Sequence, residues 1–318
     1  MAGSRRTAAR EPSDFARLST EAVHPRAAKL DTLAPEAIAA LMLAEEAKAL
    51  AAARGRSEEI GRAARLVADK LAAGGRLVYA GAGTSGRLGT LDAVECVPTF
   101  GVPPSRVVPI IAGGPAALTK SVEGAEDNVR EAEQRMRRAA VGPADVVCGV
   151  AASGVTPFVR AALEYARFRR AATIFVTCAP TGGEVTADVI VALDTGPEVI
   201  AGSTRLKAGT ATKVTLNAIS TTAFVLLGKT YAGMMVDVRP TNAKLWARAT
   251  RIVQAFADLD EAAARKLIEK AGGRPKVALV MHHTGVSAAR ARELIVTHKG
   301  SLRAIVGDLP VRLPVEAP

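Results

Sequence analysis

Two stretches of this chain combine glycine with hydroxyl side chains in a way that suits an anion. Gly81-Ala82-Gly83-Thr84-Ser85-Gly86 follows a β-branched run and leads into a helical stretch through Arg87 and Leu88. Glycines let the backbone approach a ligand closely, and hydroxyls and amide N–H groups at a helix start donate to negative charge, so a phosphate or a sugar fits. Ala151-Ala152-Ser153-Gly154-Val155-Thr156-Pro157 follows a second run in the same manner. Gly83, Thr84, Ser85 and Gly86 of the first loop and Ser153, Gly154 and Thr156 of the second are therefore candidate binding residues. Taken singly, each loop could merely cap its helix through Ser or Thr; two on one sheet favour a paired cradle. A third segment, Gly202-Ser203-Thr204-Arg205-Leu206-Lys207, precedes a long helix. Cations are disfavoured at that end of a helix, so Arg205 and Lys207 there point to an anionic partner, with Ser203 and Lys207 as candidate binding residues and solvated surface charge as the alternative.

Carboxyls come next. Glu123, Glu126 and Asp127 cluster after Ala112-Gly113-Gly114, where a solvated helix cap competes with an acid–base role. Glu95 lies between Val94 and Cys96 with Pro98 close behind, an apolar setting in which a carboxyl tends to stay protonated and can act as an acid. The spacing of Gly81, Gly83 and Gly86 is that of a dinucleotide loop. Such a site wants a ribose-binding carboxylate about twenty residues on, and Asp92 and Glu95 come too early. No Gly-Lys-Ser/Thr follows, which excludes a Walker A loop. His24, His282, His283 and His298 show no metal spacing with acidic neighbours, so no metal site and no catalytic histidine is expected.

The elements that would position these residues are legible. Pro35 to Ala73 reads as two helices broken at Gly55 and recapped at Ser57. Arg76–Ala80, Val107–Ala112, Asp145–Ala151 and Ala172–Cys178 are short β-branched runs, each followed by a small-residue loop and a helical stretch. That alternation predicts an α/β fold, a doubly wound parallel sheet with ligands beyond the carboxyl ends of its strands. After Trp246 the chain turns helical and basic. Arg265-Lys266-Leu267-Ile268, Gly273 and Val277-Ala278-Leu279 are echoed by Arg292-Glu293-Leu294-Ile295, Gly300 and Ala304-Ile305-Val306, a short helical unit used twice. The expected layout is a basic tail over 1–18, a helical segment over 19–66, a ligand-binding domain over 67–245 and a small helical domain over 246–318.

Composition bounds the partners. Hydrophobic residues make up 49% of the 318 but aromatics only 3%, so stacking platforms for bases are scarce. The net charge of +11 would suit nucleic acid, an anionic membrane or an acidic substrate. The helices around Thr284-Gly285 superficially resemble a helix-turn-helix, yet simple packing is the commoner use of such a pair. Glu36, Glu45, Glu46, Glu58 and Glu59 make the first helices too acidic for groove binding. Neither nucleic acid nor membrane is expected as a partner. No apolar run follows Arg5-Arg6, and Val214–Leu227 is short and interrupted by polar residues, so a cytoplasmic location follows. Three cysteines without paired spacing, Cys96, Cys148 and Cys178, read as small core residues.

GAGTSGRLG and AASGVTP together are similar to the sugar isomerase family of phosphosugar-binding domains. GGRLVYAGAGTSGRLGTLDAVEC, IIAGGPAALTKSVEGAEDN, VAASGVTPFVRAALEYAR and GPEVIAGSTRLKAGTATKVTLN resemble the N-acetylmuramic acid 6-phosphate etherase family, over about residues 20 to 304. The resemblance implies release of D-lactate from N-acetylmuramic acid 6-phosphate, leaving N-acetylglucosamine 6-phosphate, in peptidoglycan recycling, by a homodimer without metal or cofactor. It places the two catalytic glutamates at Glu95, in LDAVEC, and Glu126, in VEGAED. Departures are His24 before Pro25 where Asn is usual, Glu46, Val97, Val155 where Arg is usual, and Ala179. A non-catalytic phosphosugar sensor, a sugar-responsive DNA-binding regulator and an aldose–ketose isomerase are the other readings of such a domain.

Overall fold

The computed structural model describes residues 19–179 and 185–312; the basic tail expected over 1–18 lies outside them. The chain divides into two compact units, one of residues 1–63, 78–90 and 109–218, the other of 64–77, 91–108 and 219–318.

Two helices open the described chain. Helix α1 (Pro35–Arg54) carries proline at its first position, where an N–H would be unpaired in any case. It stops at Gly55, and α2 (Ser57–Ala72) begins two residues later. The expected strands form as β1 (Leu77–Gly81), β2 (Val107–Ile111), β3 (Val146–Val150) and β4 (Ala172–Thr177). Residues of β1 and β3 are buried without exception, the pattern of strands covered on both faces, which is why they read as apolar runs rather than alternations. A fifth strand, β5 (Val189–Ala192), is absent from the sequence reading because four residues are too few to stand out. A side-chain clamp sets its start: Thr173 donates to Asp188 Oδ2 from its amide (2.7 Å) and hydroxyl (2.9 Å), and the Asp188 amide donates back to Thr173 Oγ1 at 3.1 Å. The order is β2-β1-β3-β4-β5. Strands β3, β4 and β5 run parallel, with Val146 opposite Ala172 and Ile174 opposite Val189. Helices α3 (Gly83–Phe100), α4 (Val129–Arg138) and α5 (Pro157–Phe168) alternate with the strands, and α6 (Lys207–Leu226) follows β5.

Contact between the end of β1 and the start of α3 is made backbone to backbone. A Cβ on Gly81 would lie 2.7 Å from the Gly86 amide nitrogen, and one on Gly86 would lie 2.6 Å from Ile111 Cγ1. Two of the three glycines in this loop therefore serve close packing of helix on strand. Gly83, exposed and at φ +52°, faces open space.

The second unit holds α7 (Ala243–Ala257), α8 (Glu261–Lys270), α9 (Pro275–Thr284), α10 (Ala288–Thr297) and α11 (Leu302–Val306). The sequence echo is a structural one: α8 turns into α9 through Gly272 and Gly273, and α10 into α11 through Gly300, all at positive φ. Ile252, Val253, Phe256, Ile268, Leu279 and Leu302 form the core. The ring of Tyr231 meets Phe256 edge-on at 5.0 Å, and its hydroxyl donates to Gly307 O and accepts from the Leu309 amide, both at 2.7 Å. Across the Gly285 turn, α9 is buried over Pro275–Val280 and acts as core. Lys276 is itself buried, its ammonium donating to Gly228 O (2.7 Å) and Asp237 Oδ2 (3.2 Å); burial pulls its pKa down and Asp237 opposes that. In the same unit Ser220 donates to the buried Asp92 at 3.0 Å, and Phe100 stacks on Phe224 at 4.4 Å. All three cysteines are buried and unpaired with one another. Among the described residues no helix is long and apolar enough to cross a membrane.

Gly81→Ala is expected to lower stability by about 1–3 kcal/mol, since a methyl group meets backbone that cannot yield. Gly61→Ala, mid-helix with nothing within 4 Å, should raise it by about 0.5–1 kcal/mol. Urea denaturation of the two variants checks both signs.

Candidate active site

A cleft of about 280 Å³ opens in the first unit beyond the carboxyl ends of β1 and β3. One wall is the first loop, with Ala82, Gly83, Thr84 and Ser85; the opposite wall is Ala152, Ser153, Val155, Thr156 and Pro157. Thr156 is the N-cap residue of α5, yet its side chain makes no capping bond. Its hydroxyl is left for the cleft, so the helix-cap alternative fails for this loop. Backbone bonds brace the loop from behind: Gly154, at φ +76°, donates to Ala151 O (3.0 Å), Cys178 donates to Ala152 O (2.9 Å), and the Arg160 guanidinium donates to Gly154 O. The first turns of α3 and α5 both end here, and unpaired N–H groups at such ends favour negative charge. Among the described residues no Lys or Arg lines the cleft. An anion would be held by hydroxyls and amides.

Glu126 and Asp127 face this cradle from a short turn of 3-10 helix, Ala125–Asp127. Gly124, at φ +68°, starts the turn, and Asn128 ends it by accepting from the Glu131 amide at 3.0 Å to cap α4. Arg87 tethers the preceding segment through Ala117 O and Lys120 O, each at 3.0 Å.

A third wall is formed by Glu21, Gly202 and Thr204. Gly202, at φ +75°, donates to Thr20 O at 2.9 Å, and a Cβ there would sit 2.8 Å from Glu21 Oε2. What holds this wall is a buried charge cluster. Lys207, in the first turn of α6, is 2% exposed and donates to Glu45 Oε2 (2.9 Å) and Pro197 O (2.7 Å). Glu45, on α1, also takes Lys48 at 2.8 Å and His24 Nε2 at 3.2 Å. His24 Nδ1 accepts from the Arg26 amide, which leaves Nε2 as the donor toward Glu45. Glu198 caps α6, accepting from the amides of Lys207 (3.1 Å) and Ala208 (2.8 Å). Burial by itself raises the Glu45 carboxyl, but the bonds from Lys48 and Lys207 and the charges of Lys207 and His24 outweigh it and bring the pKa to about 2. Burial pushes Glu198 the other way, above the usual carboxylate range.

The structure thus gathers Gly83, Thr84, Ser85, Ser153, Thr156 and Glu126 around one cleft. Gly86 and Gly154 lie buried behind it, as packing and turn residues. Ser203 sits between the lining residues Gly202 and Thr204 without lining the cleft itself. Lys207 also stands apart, because its charge is spent internally on Glu45; the helix dipole's objection to a cation is met by a protein carboxylate. Glu95 differs most from expectation. It is exposed, as is Val94 at 58%, so apolar sequence neighbours do not enclose it. It does not line this cleft. Sequence reasoning missed Glu21, which carries no motif; tertiary bonds through Thr20 and His24 bring it in.

The chain is similar to several known proteins. Residues 59–167 match the glucokinase regulatory protein N-terminal SIS domain. The chain is 47% identical over 292 residues to an N-acetylmuramic acid 6-phosphate etherase of Gloeothece citriformis, covering 92% of this chain and 95% of that one. It is 46% identical over 290 residues to that of Deinococcus radiodurans, covering 91% and 95%. Among solved structures, a phosphoheptose isomerase from Neisseria gonorrhoeae covers 60% of this chain and 98% of its own, at 17% identity and a TM-score of 0.45.

The charge cluster has a pH signature. Because the Glu45 pKa is depressed from 4.5 to about 2, its contribution is complete above pH 4.5 and is lost as pH falls toward 2. Glu45→Gln leaves Lys207 buried without its carboxylate and should cost about 3–5 kcal/mol at neutral pH. Its stability should then fall less steeply than the parent's across that window. Chemical denaturation at a series of pH values measures both.

Proposed function

The chain belongs to the N-acetylmuramic acid 6-phosphate etherase family, and from that premise we propose that its cleft removes the lactyl group from C3 of N-acetylmuramic acid 6-phosphate. The observation that carries the reading is one cleft with glycine- and hydroxyl-bearing loops on two walls, no Lys or Arg among its described lining residues, and the Glu126 carboxylate facing it. The 6-phosphate is held by Thr84, Ser85, Ser153 and Thr156 and by the first-turn amides of α3 and α5. Activity takes place in the cytoplasm without metal or cofactor.

Direct displacement at C3 is hard, whereas elimination is easy once the opened ring sets the C1 aldehyde beside the C2 proton. Glu126, as carboxylate, takes that proton; the C3–O bond breaks; and the lactyl oxygen leaves with a proton from Glu95. Water then adds across the resulting double bond, its oxygen at C3 and a proton at C2, giving N-acetylglucosamine 6-phosphate and D-lactate. Each positioned proton transfer supplies a factor of about 10² to 10⁴. Glu95 is exposed and is not among the residues that line the cleft of its own chain, so it is assigned to the cleft of a second copy in a homodimer. The exposed Val225 and Leu226 at the end of α6 (48% and 42% exposed) are apolar surface that a second copy would cover.

Incubation with N-acetylmuramic acid 6-phosphate should release D-lactate. In deuterated or ¹⁸O-labelled water the product should carry deuterium at C2 and labelled oxygen at C3; absence of both labels points to displacement instead. Glu126→Gln should suppress exchange and lactate release together, and Glu95→Gln should impair release while leaving exchange measurable. Mixing the two inactive variants should restore activity, up to about a quarter of the parent's, because half of the re-formed dimers are mixed and each has one intact site. No recovery, or a monomeric mass by light scattering, would remove Glu95 from the second copy's cleft.

A further inference from the structure

Helix α7 carries a second concave site in the other unit. A pocket of about 360 Å³ is lined by Met234, Lys244, Ala247, Arg248, Arg251 and Ile252. The three cations stand at i, i+4 and i+7, on one face of the helix. They are the only charged residues of Ala243–Ala257, and none is paired with a carboxylate among the described residues. Elsewhere in this unit Lys229 and Lys276 pair with Asp237, Arg265 with Glu269 and Arg290 with Glu293.

This placement works against the helix. Like charges three and four residues apart destabilise by about 0.2–0.5 kcal/mol per pair, and Lys244, in the first turn, opposes the helix dipole. No internal contact among the described residues offsets either cost. The pocket volume is that of a small-ligand site, and arginine forks bind phosphate oxygens in pairs. We propose that this pocket binds a small phosphorylated molecule distinct from whatever fills the cleft of the first unit. Arg248 and Arg251 hold the phosphate, Lys244 adds charge, and Met234 and Ile252 cover the organic part.

The test uses the full chain with inorganic pyrophosphate as probe, titrated by calorimetry at low ionic strength. Three proteins are compared: the parent, Arg248→Gln/Arg251→Gln, and Ser85→Ala/Ser153→Ala. The arginine variant should lose one binding site, with affinity there at least tenfold weaker, the scale of removing hydrogen bonds to charged groups. The serine variant should keep that site. In anion-free buffer the arginine variant should melt no lower than the parent, since repulsion is relieved. Unchanged stoichiometry in the arginine variant overturns the proposal, as does a lower melting temperature in anion-free buffer, which would make the cations structural. Binding of a short duplex DNA to α7 without any response to pyrophosphate overturns it as well, in favour of a macromolecular polyanion.

Discussion

The first unit is organised around a carboxylate taken out of water. Glu45 is buried on α1 with three cationic or donor partners, Lys48, Lys207 and His24. A lone buried carboxylate would cost far more than a helix contributes, so Glu45 is tolerable only while Lys207 and His24 are in place. Each partner belongs to a different segment of the cleft's third wall. Lys207 ties down the turn that carries Gly202 and Thr204; His24 ties down the stretch that carries Glu21. The energy of one ion cluster is thereby converted into the position of groups that never touch it.

The cradle solves a different problem. A phosphate could be neutralised by lysine or arginine, yet the described lining residues include neither, and the nearby guanidinium groups of Arg87 and Arg160 are engaged with backbone carbonyls. Helix ends and hydroxyls supply partial charges fixed in direction, without the rotamer entropy of long cationic side chains. Among the described residues, the facing carboxylates Glu21, Glu126 and Asp127 have no cation beside them in the cleft lining. Val155 stands in this lining as an apolar side chain.

The second unit stores its charge more conventionally. Lys276 reaches Asp237 and the Gly228 carbonyl from within the core, and the doubled helix–glycine–helix unit closes around Tyr231 and Phe256.

Much of the chemistry was legible in the residues. The strand runs, the glycine and hydroxyl loops, the break at Gly55 and the helical repeat are local patterns, and local patterns are written in residue type and spacing. Glu126 was singled out by the family resemblance rather than by spacing, for another 3-10 turn, Gly114–Leu118, lies between the end of β2 and its own. Three things lay beyond the sequence. The strand β5 depends on a side-chain clamp from Thr173 to Asp188 rather than on its own four residues. Glu95 looked enclosed because its sequence neighbours are apolar, but a helix sends consecutive residues in different directions, and this one faces outward. Lys207 looked like a ligand-binding cation because its counter-charge, Glu45, is 162 residues away. Which carboxylate is buried, and which cation is already spent, is decided by long-range packing, and no spacing rule reaches that far.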